Sequence, residues 1–115
     1  MPNRRHWHVT VTVGGDAVEP LLVRAALQRL TEERPFLDTI RFTRSGAELN
    51  FWDEGESMLD VASLALRLWN EHRDSAQLPN WEVIGLEVVE RRIRRMRSDA
   101  NAMPDQVMTF RPASV

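Results

Sequence analysis

The chain opens with a strictly alternating pattern of apolar and polar residues. Between residues 6 and 13 the apolar side chains stand at Trp7, Val9, Val11 and Val13, and every intervening residue is His or Thr. Because successive side chains of a strand point to opposite faces, this pattern predicts one buried and one solvent-facing side. We therefore expect a half-buried strand at the start of a compact sheet.

After this strand the chain switches from a period of two to a helical period. A turn at Gly14-Gly15 leads to Asp16 and Glu19, which have the spacing of a capping box at a helix start. Apolar residues then recur three and four positions apart until Pro35 closes the segment, at Val23, Ala26, Leu27 and Leu30. This pattern predicts an amphipathic helix that packs one face on the sheet.

Residues 36–52 have the pattern of a β-hairpin. Two alternating stretches are separated by Ser45-Gly46, which supplies a tight reversal. We expect Leu49 and Phe51 to face the core. The opposite side of that strand then carries Glu48, Asn50 and Trp52.

A second helix is predicted over residues 58–72, after an acidic, glycine-containing turn at residues 53–56. Ser57 and Asp60 again have the spacing of a capping box. Apolar side chains cover much of the circumference of this segment. We expect it to be more buried than the first helix.

A fourth strand is predicted over residues 81–89, and because both its faces are substantially apolar we expect it to be covered on both sides. The order strand–helix–strand–strand–helix–strand is the split βαβ arrangement of ferredoxin-like domains. We therefore predict an α+β fold over residues 1–97, with two helices on one face of a four-stranded antiparallel sheet. Its first and third strands are central. Residues 98–115 are predicted to form an irregular C-terminal extension.

Composition narrows the chemistry available to this fold. A chain of 115 residues with 43% hydrophobic content suits one domain. Its 15 basic and 17 acidic residues give a net charge of -2, so the whole chain has no general attraction for nucleic acid or anionic membranes. Every basic residue is Arg and Cys is absent, which excludes lysine Schiff bases, thiolate nucleophiles and cysteine-ligated metals. We predict no cofactor.

The expected location is the cytoplasm. Arg4 and Arg5 precede alternating Val and Thr instead of the continuous apolar stretch of a secretory signal. No apolar run approaches the ~18 residues of a membrane-spanning helix. We expect no membrane association.

The side of the sheet that the helices leave uncovered is the expected functional surface. His6 and His8 point the same way from the first strand, and Glu48 lies on the neighbouring third strand. Two histidines and one carboxylate form a ligand set for zinc or iron. A pair of half-exposed histidines on a polar sheet face is the alternative interpretation, and both stay open at this point.

The same uncovered side is predicted to mediate association. It is expected to carry Trp52 together with residues of the fourth strand, namely Trp81, Val83, Glu87 and Val89. So much aromatic and branched surface exceeds what a soluble monomer usually exposes, which predicts a homodimer through this face. In the alternative, the C-terminal extension covers the face with apolar anchors at Met103, Val107, Met108 and Phe110.

Residues 91–97 contain five arginines directly after the last predicted strand. Such a segment can grip a phosphate backbone. However, the acidic stretch at residues 53–60 offers it a partner within the chain or between subunits, and no motif of stacking aromatics accompanies it. Nucleic acid is therefore not a predicted partner.

The sequence contains no recognisable catalytic motif. The serines lack a Gly-x-Ser-x-Gly elbow, and His72, the nearest candidate base, is predicted to lie late in a buried helix. The acidic turn at residues 53–56 is explained as capping charge before a helix. We predict no catalytic residues and no enzymatic activity.

Two stretches, LRLWNEHR at residues 66–73 and LPNWEVIGLEV at residues 78–88, resemble small uncharacterised bacterial proteins that open with a similar Trp7-His8-Val9 strand. This resemblance implies a free-standing ferredoxin-like domain of unassigned function. More loosely, the element order and the glycine-containing turn at residues 13–16 are similar to amino-acid-binding regulatory ACT domains, although their Asp-x-Pro-Gly pattern is missing. That similarity implies a small effector bound near this turn at a dimer interface.

These patterns predict a cytoplasmic, homodimeric interaction or regulatory domain without catalysis. The alternative is a module that binds a small ligand or a metal, using the uncovered sheet face or the dimer interface.

Overall fold

The computed structural model describes residues 5–91. The chain forms six elements in the predicted order: β1 (Arg5–Gly14), α1 (Pro20–Glu33), β2 (Leu37–Thr43), β3 (Gly46–Gly55), α2 (Met58–His72) and β4 (Glu82–Glu90). The prediction of an α+β fold is confirmed. The predicted extension at residues 98–115, with its apolar anchors, and the arginines beyond Arg91 lie outside the described residues.

The four strands form one antiparallel sheet in the order β2-β3-β1-β4. β1 and β3 are the central strands, as predicted. Each helix connects two strands that have one other strand between them, which is the split βαβ arrangement of the ferredoxin-like fold. The two central strands pair along their full length, from Arg5 opposite Gly55 to Gly14 opposite Gly46.

Alternate residues of the central strands build the core beneath both helices. Val9 pairs with Phe51 and Val11 pairs with Leu49, and all four side chains are buried, as the alternation predicts. The helices close this core with Val23, Ala26, Leu27, Leu30, Val61, Ala65, Leu68 and Trp69. Removing these apolar side chains from water is the main stabilising contribution in a chain that has no cysteine.

Each helix begins at a side chain that caps exposed amides, but the cap of α1 is not the predicted one. Ser57 Oγ accepts from an amide of the first turn of α2 at 3.2 Å, as its spacing predicts. At α1 the cap is Glu19 and not Asp16, because the Glu19 carboxylate accepts from two first-turn amides at 3.0 and 3.3 Å. Pro20 occupies the first turn, where its fixed φ favours a helix start, and this leaves Asp16 outside the first turn.

α2 buries one side of its apolar circumference and exposes the rest. One stripe packs into the core, whereas Leu59, Leu64 and Leu66 are exposed. Five residues of α2 are buried against four of α1, in line with the prediction that α2 is the more buried helix. The rest of its apolar circumference stays exposed because a helix that lies on a sheet buries only the side toward that sheet. Neither of the two described helices has the length and apolar character needed to cross a membrane.

A register shift in β4 reverses the predicted orientation of its first half. Thr12 of β1 lies opposite Gly85, but the next residue, Val13, lies opposite Val83. Ile84 is therefore an extra residue on β4. Because side chains alternate along a strand, one extra residue moves everything before it to the other face.

This bulge places two predicted surface residues on the helix-covered side. Trp81 is buried in the core, and Val83 packs against the same core. The prediction that both residues lie on the uncovered face was wrong. It assumed uninterrupted alternation through residues 81–89, and the sequence contains no sign of the inserted residue. Leu86 and Val88, beyond the bulge, also pack against the core. Apolar residues from both apparent faces of this run, namely Trp81, Val83, Leu86 and Val88, therefore share the core face.

Candidate functional site

The face of the sheet opposite the helices, here called the open sheet face, is mainly polar. Residues directly opposite each other on paired strands share a face, so the strand register defines its members. They include His6, His8, Thr10, Thr12, Arg41, Glu48, Asn50, Trp52, Glu87 and Val89. Trp52 and Val89 are the large apolar members of this set.

Asn50 lies in the middle of the open sheet face and is 8% exposed. Its Oδ1 accepts a hydrogen bond from Thr10 Oγ1 at 2.8 Å, and its Nδ2 donates to Glu48 Oε1 at 3.5 Å. The register explains the shorter contact, since Thr10 lies directly opposite Asn50. A buried polar group that loses its partner is left unsatisfied, so this network holds its side chains in one arrangement.

Glu48 also lies next to a cation. Arg41 lies opposite it on β2, with 3.9 Å between Arg41 Nη1 and Glu48 Oε1. Both side chains are partly exposed, so water screens this pair and it contributes little to stability. Its chemical consequence is one positive and one negative group side by side on the sheet.

These side chains line a shallow depression of about 440 Å³. Its lining consists of His8, Thr10, Thr12, Arg41, Glu48, Asn50, Leu86 and Glu87. This volume falls within the roughly 300–1,000 Å³ of small-molecule sites. Hydroxyl, amide, guanidinium and carboxylate groups together offer a ligand both hydrogen-bond donors and acceptors.

His8 and Trp52 lie opposite each other beside this depression. Their ring centroids are 4.9 Å apart and their planes are inclined by 70°, an edge-to-face contact. His8 is buried, whereas Trp52 is 43% exposed. Trp52 therefore presents an aromatic surface to solvent next to a polar site.

The structure does not bring His6, His8 and Glu48 together as a ligand set. Glu48 lies opposite Thr12, four residues along β1 from His8. At about 3.3 Å of rise per strand residue this is roughly 13 Å, far beyond the reach of one metal ion. His6 Nε2 lies 3.6 Å from Glu54 Oε1 instead. Among residues 5–91 there is no group of three His, Asp or Glu side chains arranged to hold a metal.

The predicted interface residues divide between the two faces of the sheet. Trp52, Glu87 and Val89 lie on the open sheet face, whereas Trp81 and Val83 lie on the helix-covered side. The open sheet face is therefore more polar than the sequence predicts.

Sequence reasoning missed Thr10 and Arg41 as parts of the site. The alternation of β1 and β2 places both residues on the uncovered side, so their orientation was available from the pattern. Their neighbours were not available, because the register between distant strands decides that Thr10 meets Asn50 and that Arg41 meets Glu48.

A second polar cluster links the end of α1 to the end of α2. Glu33 Oε1 accepts from Ser75 Oγ at 2.6 Å and lies 2.9 Å from His72 Nδ1. The Ser75 hydroxyl, followed by the His72 ring, lowers the pKa of Glu33 below the usual glutamate value. The Ser75 hydroxyl donates to the Glu33 carboxylate, and its contact with His72 is to the backbone oxygen at 3.5 Å and not to the ring, so the cluster lacks the serine–histidine contact of a hydrolase. We interpret it as a link between the helices.

Comparison with known proteins places the chain in a family. The family model described as Domain of unknown function (DUF8830) matches residues 6–105. This match covers most of the chain and all six elements except the first residue of β1, so the chain belongs to this family. A search of curated proteins and a search of solved structures gave no match.

Proposed function

We propose that this member of the DUF8830 family is a non-catalytic binding module whose open sheet face takes up a small polar ligand. The observation that carries the proposal is the Thr10–Asn50–Glu48 network, centred on the buried Asn50, beside the 440 Å³ depression. Burying a polar group costs free energy unless the group forms hydrogen bonds. Here those bonds fix the donors and acceptors that line the depression.

The proposal that the module is non-catalytic rests on the hydrogen bonds made by two hydroxyl groups, those of Thr10 and Ser75. Thr10 donates its proton to the amide oxygen of Asn50, and an amide is not a general base. The Ser75 hydroxyl, on the helical side, is bonded to Glu33. The lowered pKa of Glu33 makes its carboxylate a weak base for Ser75, and the amide of Asn50 does not activate Thr10.

The ligand hypothesis is testable by nuclear magnetic resonance on the full, uniformly ¹⁵N-labelled chain with mixtures of polar fragments. We expect binding fragments to shift the amide resonances of Thr10, Thr12 and Asn50. Thr10→Val removes the hydroxyl from the network and should weaken binding, whereas Thr31→Val, which removes a hydroxyl on α1, should not. Shifts confined to other parts of the protein, or none with any mixture, would overturn the proposal.

Homodimerisation through the open sheet face is the second candidate function, and the exposure of Trp52 favours it. The case rests on Trp52, since Val89 is buried and Trp81 and Val83 pack on the other side. Native mass spectrometry of untagged protein tests it, because one spectrum reports both subunit number and any retained small molecule. A dimer that dissociates in Trp52→Ala supports this candidate, and a monomer at every concentration excludes it.

A bacterial origin, a cytoplasmic location and a regulatory role are proposals that rest on the sequence. The resemblance of residues 66–73 and 78–88 to small bacterial proteins supports the first of these. A regulatory role follows if ligand binding changes the association state, since both would use the open sheet face. Titration of the native mass spectrum with a binding fragment measures this coupling directly.

A further inference from the structure

An apolar groove of about 370 Å³ lies between α2 and the connection from α1 to β2. Phe51, Ala65 and Leu68 line it as buried residues, whereas Phe36 and Leu64 line it with 49% and 54% of their surface exposed. The charged members of its lining are Arg34, Asp53 and Glu71. We call it the helix-side groove. Adjacent apolar side chains with this much exposure mark a surface that another part of a protein usually covers.

The groove exists because β3 continues past the start of β2. Phe51 lies opposite Leu37, the first residue of β2, whereas β3 pairs with β1 as far as Gly55. On this longer stretch the Asp53 carboxylate accepts from the Glu54 amide at 2.8 Å. A backbone donor that is engaged by a side chain is less available to an added strand. We therefore expect an occupant of the groove to bind through its side chains.

Acidic residues lead from the groove to the end of the sheet. Asp53 lines the groove, and Glu54 and Glu56 follow it in the turn before α2. Arg5, which lies at this end of β1, is already paired with Glu90. The surface between the end of β4 and the groove therefore has a negative potential that favours a basic segment.

β4 ends next to this acidic surface. Glu90 lies opposite Trp7, and Trp7 lies opposite Asp53, so the three residues form one row across β4, β1 and β3. Two strand spacings, roughly 10 Å, separate Glu90 from Asp53. Residues 92–115 follow the last described residue, Arg91. Because each residue spans up to ~3.5 Å, the stretch from Arg91 to Met103 spans up to about 40 Å and is long enough to reach the groove.

The residues after β4 have the same order of character as this surface. Five arginines at residues 91–97 come first, and the apolar residues Met103, Val107, Met108 and Phe110 come after them. On the surface, the acidic turn comes first and the apolar groove after it. The family match continues past β4 to residue 105, so the arginines and Met103 belong to the same domain as the sheet.

From these observations we infer that the helix-side groove is the docking site of residues 103–110 of the same chain. Their apolar side chains cover Phe36 and Leu64, and the arginines of residues 91–97 pair with the acidic turn. An apolar segment gains more from this groove than from the open sheet face, which is mainly polar. The inference concerns the other side of the sheet and does not depend on the proposed function.

Disulfide trapping in the full chain tests the docking, because the parent chain has no cysteine. Thr109→Cys places one thiol among the apolar residues, and Glu71→Cys or Arg34→Cys places a second thiol at the groove. Under mild oxidation we expect these pairs to close about tenfold faster than Thr109→Cys with Leu66→Cys, since docking raises the local concentration only at the groove. Leu66 is the matched control because it is 44% exposed on α2 and lies outside the groove lining.

Mass spectrometry of the oxidised products identifies the occupant. A disulfide within one chain has the mass of a monomer, as the inference requires. A product with the mass of a dimer means that a second copy supplies the segment, and this would overturn the inference. Thr109→Cys with Glu87→Cys probes the open sheet face in the same way. Faster closure at Glu87 than at Glu71 would also overturn the inference, because the segment would then cover the polar face.

Two further leucine substitutions test the apolar contact. In the chain with cysteines at positions 71 and 109, Leu64→Ser removes an exposed part of the groove lining and should slow closure about tenfold. Leu59→Ser changes an exposed leucine of the same helix outside the groove lining and should leave the rate unchanged. Equal rates in these two variants, or equal rates at Glu71 and Leu66, would overturn the docking. Amide spectra of the ¹⁵N-labelled variants check that they are folded.

Reversing charges tests the contribution of the arginines. Arg94→Glu with Arg95→Glu should slow closure of the same cysteine pair, because the segment then meets the acidic turn with like charge. Arg24→Glu with Arg44→Glu changes the net charge equally at two other exposed positions and should not slow it. Equal rates in the two charge variants would overturn the pairing of the arginines with the acidic turn.

Discussion

Trp69 and Trp81 stack with their ring planes 8° apart and their centroids 6.0 Å apart. The contact joins the last turn of α2 to the residue just before β4. Trp81 Nε1 also donates to the backbone oxygen of Asp16 at 2.8 Å, so the same ring is tied to the segment before α1. Trp81 thus holds three parts of the chain together from the core side of the sheet.

We expect Trp81→Ala to destabilise the protein by about 3–5 kcal/mol, the usual cost of removing a buried aromatic side chain. Chemical denaturation followed by far-ultraviolet circular dichroism measures this free energy of unfolding. Trp52→Ala is the matched control, because Trp52 is partly exposed on the open sheet face. Equal losses in the two variants would contradict the core position of Trp81.

The β4 bulge is tested by placing a carboxylate on each side of it. Val83→Glu should cost about 2 kcal/mol or more, because it directs a charge into the core. Ile84→Glu should stay within about 0.5 kcal/mol, because Ile84 faces solvent. Uninterrupted alternation predicts the opposite, a larger loss of stability in Ile84→Glu than in Val83→Glu. Thermal denaturation of the two variants therefore tests the register by their order of stability alone.

The lowered pKa of Glu33 predicts a pH dependence of stability. A carboxylate with a lowered pKa in the folded state stabilises the fold above the ordinary glutamate pKa. That contribution is lost as the pH falls through the lowered pKa. Glu33→Gln should therefore be less stable than the parent at neutral pH, and the difference should shrink in acid.

Chemical denaturation of the parent and of Glu33→Gln, from neutral pH into acid, measures the difference in their free energies of unfolding. Glu32→Gln controls for removing one carboxylate from the same helix. Ser75→Ala should raise the pKa of Glu33, since its hydroxyl is the largest cause of the lowering. A parent–variant difference that does not change with pH would contradict the role of the Ser75 and His72 contacts.

The caps of the two helices give a further prediction. Ser57→Ala should cost about 1 kcal/mol of stability, the typical value of an N-cap. Glu19→Gln should weaken α1, because it removes the charge that faces the first-turn amides. Asp16→Asn should change stability by less than about 0.5 kcal/mol, since only its backbone oxygen is engaged by Trp81. A larger loss in Asp16→Asn than in Glu19→Gln would restore Asp16 as the cap.

Local periodicity was sufficient for most of the fold. The alternation of β1 and the hairpin of residues 36–52 place Val9, Val11, Leu49 and Phe51 on one face because the signal is carried by the residues themselves. The predicted orientation of the first half of β4 was wrong because of an irregularity in the backbone. The extra residue, Ile84, is apolar and has apolar neighbours, so no change in composition marks the bulge. Only pairing with β1 reveals the shift.

The site was predictable as a face but not as a set of neighbours. The sequence places His8, Glu48 and Asn50 on the same uncovered side, and the structure agrees. Position along the strand is not encoded in a period of two, so the pattern could not separate Glu48 from His8 or bring Thr10 to Asn50.

Ile84 has one more consequence, for the behaviour of the protein in concentrated solution. β4 is at the edge of the sheet, where exposed backbone groups can recruit a strand from another molecule and start a growing assembly. An inserted residue bends such an edge and interrupts its regular spacing of donors and acceptors. Deleting Ile84 would straighten the edge, and we expect the deletion to increase aggregation through the sheet.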